Sequence, residues 1–167
     1  MPTRLVLLAD THLPTRAKAL PDEVWRAVDA ADGVVHAGDW VDEATLDALA
    51  ARTPLLIGCA GNNDGPELHA RLPEVALAEL DGVRLGVVHE TGDAKGREAR
   101  MDARFRDLRL QLLAFGHSHI PWDSTTPHGL RLLNPGSPTD RRQQPFTTYL
   151  TVVLDAGRIE ATLHRLG

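Results

Sequence analysis

The 167 residues predict an α/β fold, a four-layer α/β/β/α sandwich. Three observations carry that prediction. The first half alternates short apolar runs with amphipathic segments, the pattern of βαβ units on a parallel sheet. The second half pairs apolar runs across turn dipeptides, the pattern of hairpins. No internal repeat and no Pro/Gly/Ser-rich linker divides the chain, so a single domain over residues 1–167 is expected.

The elements follow in order. Leu5 to Ala9 is short, continuously apolar and rich in branched side chains, as a strand buried on both faces must be. Pro21 to Ala31 reads as a helix: Pro21 suits the first turn, Asp22 and Glu23 suit its positive end, and Val24, Val28 and Ala31 form an apolar stripe. Gly33 to Ala37 is a second strand. Asp42 to Arg52 is a second helix, with Ala44, Leu46, Leu49 and Ala50 as core candidates. Pro54 to Ala60 is a third strand. Glu74–Leu80 and Val83–His89 flank Asp81-Gly82, a hairpin signal. Lys95 to Leu108 is a charged helix and Leu110 to Phe115 a strand. Leu130–Leu133, Thr147–Asp155 and Ile159–Arg165 complete the strands, the last two joined at Ala156-Gly157.

Composition narrows the function classes. A formal net charge of -5 argues against general nucleic-acid or membrane-surface binding, which usually needs a basic face. It leaves room for a phosphate substrate, since bound metal ions dominate a local field whatever the total charge. The lone cysteine, Cys59, cannot build an intrachain disulfide and fits a reducing compartment. The run Leu5–Ala9 is too short for a secretory signal, and no apolar run approaches the roughly 20 residues needed to cross a bilayer. A cytoplasmic location is expected.

The informative pattern is where polar residues fall. Five apolar runs end in metal-ligand types: Asp10-Thr11-His12, Gly38-Asp39, Gly61-Asn62-Asn63-Asp64, His89, and Gly116-His117-Ser118-His119. Each fragment alone has an ordinary reading: a strand-end cap, a helix cap at Asp39, a turn at Asn62 to Gly65, a core histidine at position 89. Together they point elsewhere. Ligand sites in open α/β sheets lie beyond the carboxyl ends of the strands, so parallel strands would gather these endings. Asp, His and Asn supply nitrogen and oxygen donors for manganese, iron, zinc and similar divalent ions, with no thiolate. Seven candidates (Asp10, His12, Asp39, Asn62, His89, His117 and His119) exceed one tetrahedral ion and suit two ions sharing a carboxylate. Asp64 is either an acceptor that orients a ligating histidine or a simple turn residue. His36 reads as structural, and His69, His128 and His164 as surface residues. Trp40 and Trp122 either pack or line a mouth.

These motifs resemble the calcineurin-like metallophosphoesterases, most closely the small, stand-alone YfcE-type phosphodiesterase branch. The resemblance runs from Asp10 to the Asn134-Pro135-Gly136-Ser137 turn and the closing strands. It implies the metallo-dependent phosphatase-like sandwich, with one ion on Asp10, His12, Asp39 and His119, the other on Asp39, Asn62, His89 and His117, and Asp39 as the bridge. It also implies phosphodiester hydrolysis by a hydroxide held between two divalent ions. Manganese is the leading expectation, with iron, zinc, nickel and magnesium as alternatives.

The chain departs from the pattern twice. Larger members carry a proton-donating histidine directly after the metal-binding asparagine, and the small branch a cysteine; this chain has Asn63. An amide cannot act as a general acid near neutral pH. The single histidine is usually followed by glycine, and here by Glu90. The expected partner is a small phosphate ester, with homo-oligomerisation left open. A phosphomonoesterase or nucleotide hydrolase on the same site, and a non-catalytic protein-binding scaffold such as the retromer subunit of this fold, are the alternatives.

Overall fold

The computed structural model describes residues 1–167. In chain order its elements are β1 (Thr3–Leu8), α1 (Asp22–Ala30), β2 (Gly33–His36), α2 (Glu43–Arg52), β3 (Leu56–Gly58), α3 (Pro66–Arg71), β4 (Val75–Leu80), β5 (Val83–Val88), α4 (Arg97–Phe105), β6 (Leu112–Ala114), β7 (Trp122–Thr125), β8 (Arg131–Asn134), β9 (Thr147–Asp155) and β10 (Arg158–Leu166). They form two five-stranded sheets, ordered β10-β9-β1-β2-β3 and β4-β5-β6-β8-β7. β1, β2 and β3 are mutually parallel, as are β5, β6 and β8. Antiparallel strands close the sheets: β9 and β10 beyond β1, β4 beside β5, and β7 beside β8.

Period-2 alternation builds the layers. Leu5, Leu7 and Ala9 face the second sheet and meet Leu85, Val87, Leu112 and Ala114 in the central core. Val6 and Leu8 point the other way, into a cluster with Val24 and Val28 of α1, Leu46 and Leu49 of α2, and Leu68 of α3. On the far face of the second sheet, Met101 and Phe105 of α4 pack on Leu113, Phe115 and Leu132. Burial on both faces is why β1 reads as an unbroken apolar run. The α/β/β/α order is thus as expected.

Several expected details differ. Ala44 and Ala50 are exposed, and Thr45 is buried beside Leu46 and Leu49. The buried stripe of α2 therefore lies one position round from Ala44 and Ala50. Pro21 caps α1 from outside, with ψ 148°, while Asp42 caps α2 by accepting from the Thr45 amide at 3.1 Å. The charged segment from Lys95 divides into α4 and a short 3-10 turn at Arg106–Leu108. α3 and the polar strand β7 are additional. No helix is long and apolar enough to cross a membrane.

Under the first sheet, Trp40 is fully buried. Its indole donates to the Cys59 carbonyl at 2.9 Å and stacks on His36 with centroids 3.7 Å apart. His36 Nδ1 accepts the Gly38 amide at 3.1 Å, so Nε2 carries the proton and faces Thr11 Oγ1 at 3.1 Å. Burial, helped by His89, pushes His36 down to about 3. Neutral His36 thus contributes stability that is fully present above its ordinary value of about 6.5 and lost as pH falls towards 3. Urea denaturation of the metal-free protein from pH 7 to 4 should show falling stability, and a shallower fall in His36→Gln.

Candidate metal centre

The carboxyl ends of β1, β2, β5 and β6, with the loop after β3, meet at one edge where the two sheets face each other. Backbone geometry does the aiming. Asp10, His12, Asp39, His117 and His119 all have positive φ, between 45° and 75°. Such values cost non-glycine residues about 1–2 kcal/mol each and persist only where the surroundings over-determine them. The surroundings are specific. The Asp10 amide donates to Gly38 O at 2.9 Å and the His12 amide to Asp39 O at 3.1 Å. The His117 amide donates to Asp10 Oδ2 at 2.9 Å, and Ser137 Oγ to Asp10 O at 2.8 Å. At Gly61 a Cβ would lie 2.3 Å from both the Asp39 amide nitrogen and Oδ1, so only glycine fits.

Seven side chains converge. Asp39 Oδ2 lies 3.4 Å from both His12 Nε2 and His89 Nε2. Asp10 Oδ1 is 3.9 Å from those same two nitrogens and 3.7 Å from His119 Nε2. Asn62 Oδ1 is 2.8 Å from His89 Nε2 and 3.2 Å from His117 Nδ1. Donors sharing one ion at about 2.1 Å sit roughly 3–4 Å apart, so these separations suit common cations. Two overlapping sets have every donor atom within 4.8 Å of the others: Asp10, His12 and His119, and Asp10, Asp39 and His89.

The arrangement is costly without positive charge. Asp10 Oδ1, His12 Nε2 and His119 Nε2 are buried with no hydrogen-bond partner. Buried polar atoms are nearly always partnered, and each exception needs a reason. His119 Nδ1 donates to Asp140 O at 2.6 Å, which leaves Nε2 as a lone pair aimed inward. His89 Nδ1 donates to Ala37 O at 2.7 Å, so its Nε2 can face two oxygens only through a proton or a cation. Burial works against a charged His89, but Asp39 and Asp10 outweigh it and raise its pKa. Burial likewise opposes ionisation of Asp39, but His89 and two bonds from Asn63 hold that carboxyl well below the usual range. Burial lowers His119, in line with a neutral ring. A thiol-free set of carboxylate, amide and imidazole donors that leaves buried lone pairs unmatched fits divalent cations.

All seven candidates from the sequence therefore meet here, with His117 half-buried and Asn62 exposed at the rim. Asn63 does not face outward as a free group: its amide N–H donates to Asp39 Oδ1 at 2.8 Å and its side chain to Oδ2 at 2.7 Å. Asp64 is not an acceptor for a histidine. Its carboxylate takes the amides of Asp39 (3.0 Å), Gly61 (2.7 Å) and Val41 (2.7 Å). The histidine acceptors are instead the carbonyls of Ala37 and Asp140, which carry no side-chain signature in sequence. Trp40 is buried in the core, and half-buried Trp122 stacks against Arg97. Ser118 Oγ accepts from Asn134 Nδ2 and the Ile120 amide, both at 3.2 Å, and has no base.

Known proteins share this architecture. A family model described as a calcineurin-like phosphoesterase superfamily domain matches residues 3–157. A Methanothermobacter thermautotrophicus protein described as a probable metallophosphoesterase is 30% identical over 164 residues, covering 96% of this chain and 91% of its own. The solution NMR structure of Thermotoga maritima TM1076 is 32% identical, with a TM-score of 0.77 over 98% of this chain and 99% of that one. Vps29 from Cryptosporidium parvum has a TM-score of 0.80 over 99% and 98% of the two chains at 18% identity, a likeness of fold alone.

Removing the Asp64 carboxylate would leave the buried amides of Asp39 and Gly61 and the part-buried amide of Val41 unmatched. Asp64→Ala should cost about 3 kcal/mol of stability and weaken metal binding by about 10–100-fold. Denaturation with and without manganese checks both; native-like values for both would show that the loop holds Asp39 without it.

Proposed function

We propose that this chain, which belongs to the calcineurin-like phosphoesterase superfamily, is a metal-dependent phosphoesterase that uses two divalent ions to hydrolyse phosphodiesters within one domain spanning residues 1–167. The observation that carries the reading is the convergence of buried, unpartnered Asp10 Oδ1, His12 Nε2 and His119 Nε2 beside Asp39 and His89. Asp10, His12, Asp39 and His119 would hold one ion, and Asp39, Asn62, His89 and His117 the other. Manganese is the metal we favour. Bound ions would stabilise charge on the phosphoryl oxygens and bring a water's pKa towards neutrality.

The chain's own residues set the conditions for that chemistry. Asp39 places one oxygen equidistant from His12 and His89, the position a bridging carboxylate needs. Asn63 orients it with two hydrogen bonds. Asn62 offers a neutral oxygen, which ligates without cancelling positive charge. Ala37 O and Asp140 O fix His89 and His119 in the tautomer with Nε2 free. Asn63 has no proton to give, so the leaving oxygen would depart with more negative charge than where a histidine stands at this position. The competing readings are a phosphomonoesterase on the same site and a protein-binding scaffold. The complete donor set favours catalysis over the scaffold.

Activity should vanish on chelation and return with manganese. Asp39→Ala should lower metal content and cut the rate by at least about 10³-fold, while His128→Ala, on the exposed β7–β8 turn, should match the native protein. Full activity in a preparation shown metal-free by elemental analysis would overturn the reading.

A further inference from the structure

Beside the centre lies a cavity of about 270 Å³ that shares Asn62 and His89 with it. Its wall includes Glu74, Glu90, His69 and Arg104 beside Ala60 and Val88. Two features of this wall matter. First, it opens next to two proposed ligands of one ion, and has room for a substituent on a phosphoryl group placed there. Second, its charge is acidic. Glu74 and Glu90 give two negative charges against one positive from Arg104. Neither glutamate pairs with a lysine or arginine, and Arg104 pairs with no carboxylate. Glu90 stands nearest the chemistry: its Oε1 is 3.7 Å from His117 Nε2, and His117 Nδ1 faces Asn62.

The charge arithmetic then discriminates between substrates. Asp10 and Asp39 cancel two of the four positive charges that two divalent ions bring. A third carboxylate at Glu90, outside the ligand set, reduces the remaining attraction for an anion. The penalty falls harder on a phosphomonoester, which is largely doubly charged near neutral pH, than on a singly charged diester. The diester also has the second ester arm that the cavity can house.

On the premise of the proposed phosphoesterase site, we infer that this cavity holds the second arm of a singly charged phosphodiester, and that Glu90 is the specificity-determining residue that disfavours doubly charged monoesters. Glu90 acts by its charge on the substrate. Because the side chain is over half exposed, the effect is a partly screened one.

The test uses the manganese-loaded full chain and Glu90→Gln. The probes are inorganic phosphate, for binding by calorimetry, and an aryl phosphomonoester and its bis-aryl diester, for kinetics. Removing one unit charge a few ångströms from the anion should tighten phosphate binding by about threefold to tenfold. The monoester kcat/KM should rise by a similar factor, mainly through KM, while the diester's stays within about twofold. Both charge effects should shrink in high salt. Glu90→Asp should behave like the native protein. Equal phosphate affinity in the native and Glu90→Gln proteins overturns the inference whatever the activity. So does a parallel loss of metal content and of both activities, which would make Glu90 a support for His117. Phosphate tightening without any metal-dependent hydrolysis in the native protein would uphold the charge role and overturn the catalytic reading instead.

Discussion

Electron-pair donors crowded at one buried point repel each other and lose their water. Asp10 Oδ1 lies 3.7–3.9 Å from Nε2 of His12, His89 and His119, and Asp39 Oδ2 lies 3.4 Å from Nε2 of His12 and His89. Burying such groups without partners costs several kcal/mol in sum. A fold tolerates that cost where positive charge enters the cluster, and the response of the titratable groups follows the same logic. His89 is pushed towards its protonated form by the two carboxylates, so a proton meets part of the demand that cations would meet fully. The need for positive charge at this point organises the loops around it.

Those loops hold the donors by backbone as much as by side chains. Five of the convergent residues lie at positive φ, each at or just beyond a strand end. Asp64 gathers the amides of Asp39, Val41 and Gly61, which fixes the β2 and β3 loops against each other. Ser137 does the same for the loop after β8: it donates to Asp10 O and accepts the Asp140 amide at 2.8 Å, and Asp140 O in turn holds His119. A close approach such as Gly61 to Asp39 leaves no room for a Cβ. The ligand geometry therefore depends on residues that offer no ligand themselves.

Much of this was legible in sequence because side-chain chemistry and strand ends coincide there. Asp10, His12, Asp39, Asn62, His89, His117 and His119 each follow an apolar run, and two parallel triplets of strands bring those ends together. The layers were legible because β1 is apolar on both faces. What sequence obscured was set by tertiary context. The six-residue α3 is too short for a periodic signal, and β7, reading Trp-Asp-Ser-Thr, is a polar edge strand. The phase of α2 was missed because alanine is neutral between core and surface, whereas Thr45 is drawn inward as an N-terminal partner of Asp42. The acceptors that orient His89 and His119 are backbone carbonyls, invisible to any residue pattern. Asp64 looked like a turn residue or a histidine partner because its three amide donors belong to loops that only the fold brings near.

Two cations held close enough to share Asp39 would interact magnetically. The most direct measurement is manganese titration of the chelator-treated protein, followed by elemental analysis and electron paramagnetic resonance. Two manganese ions per chain with an exchange-coupled spectrum, and loss of the coupling in Asp39→Ala, are expected. Saturation at one ion per chain, with the spectrum of an isolated centre, would contradict a pair of ions sharing Asp39.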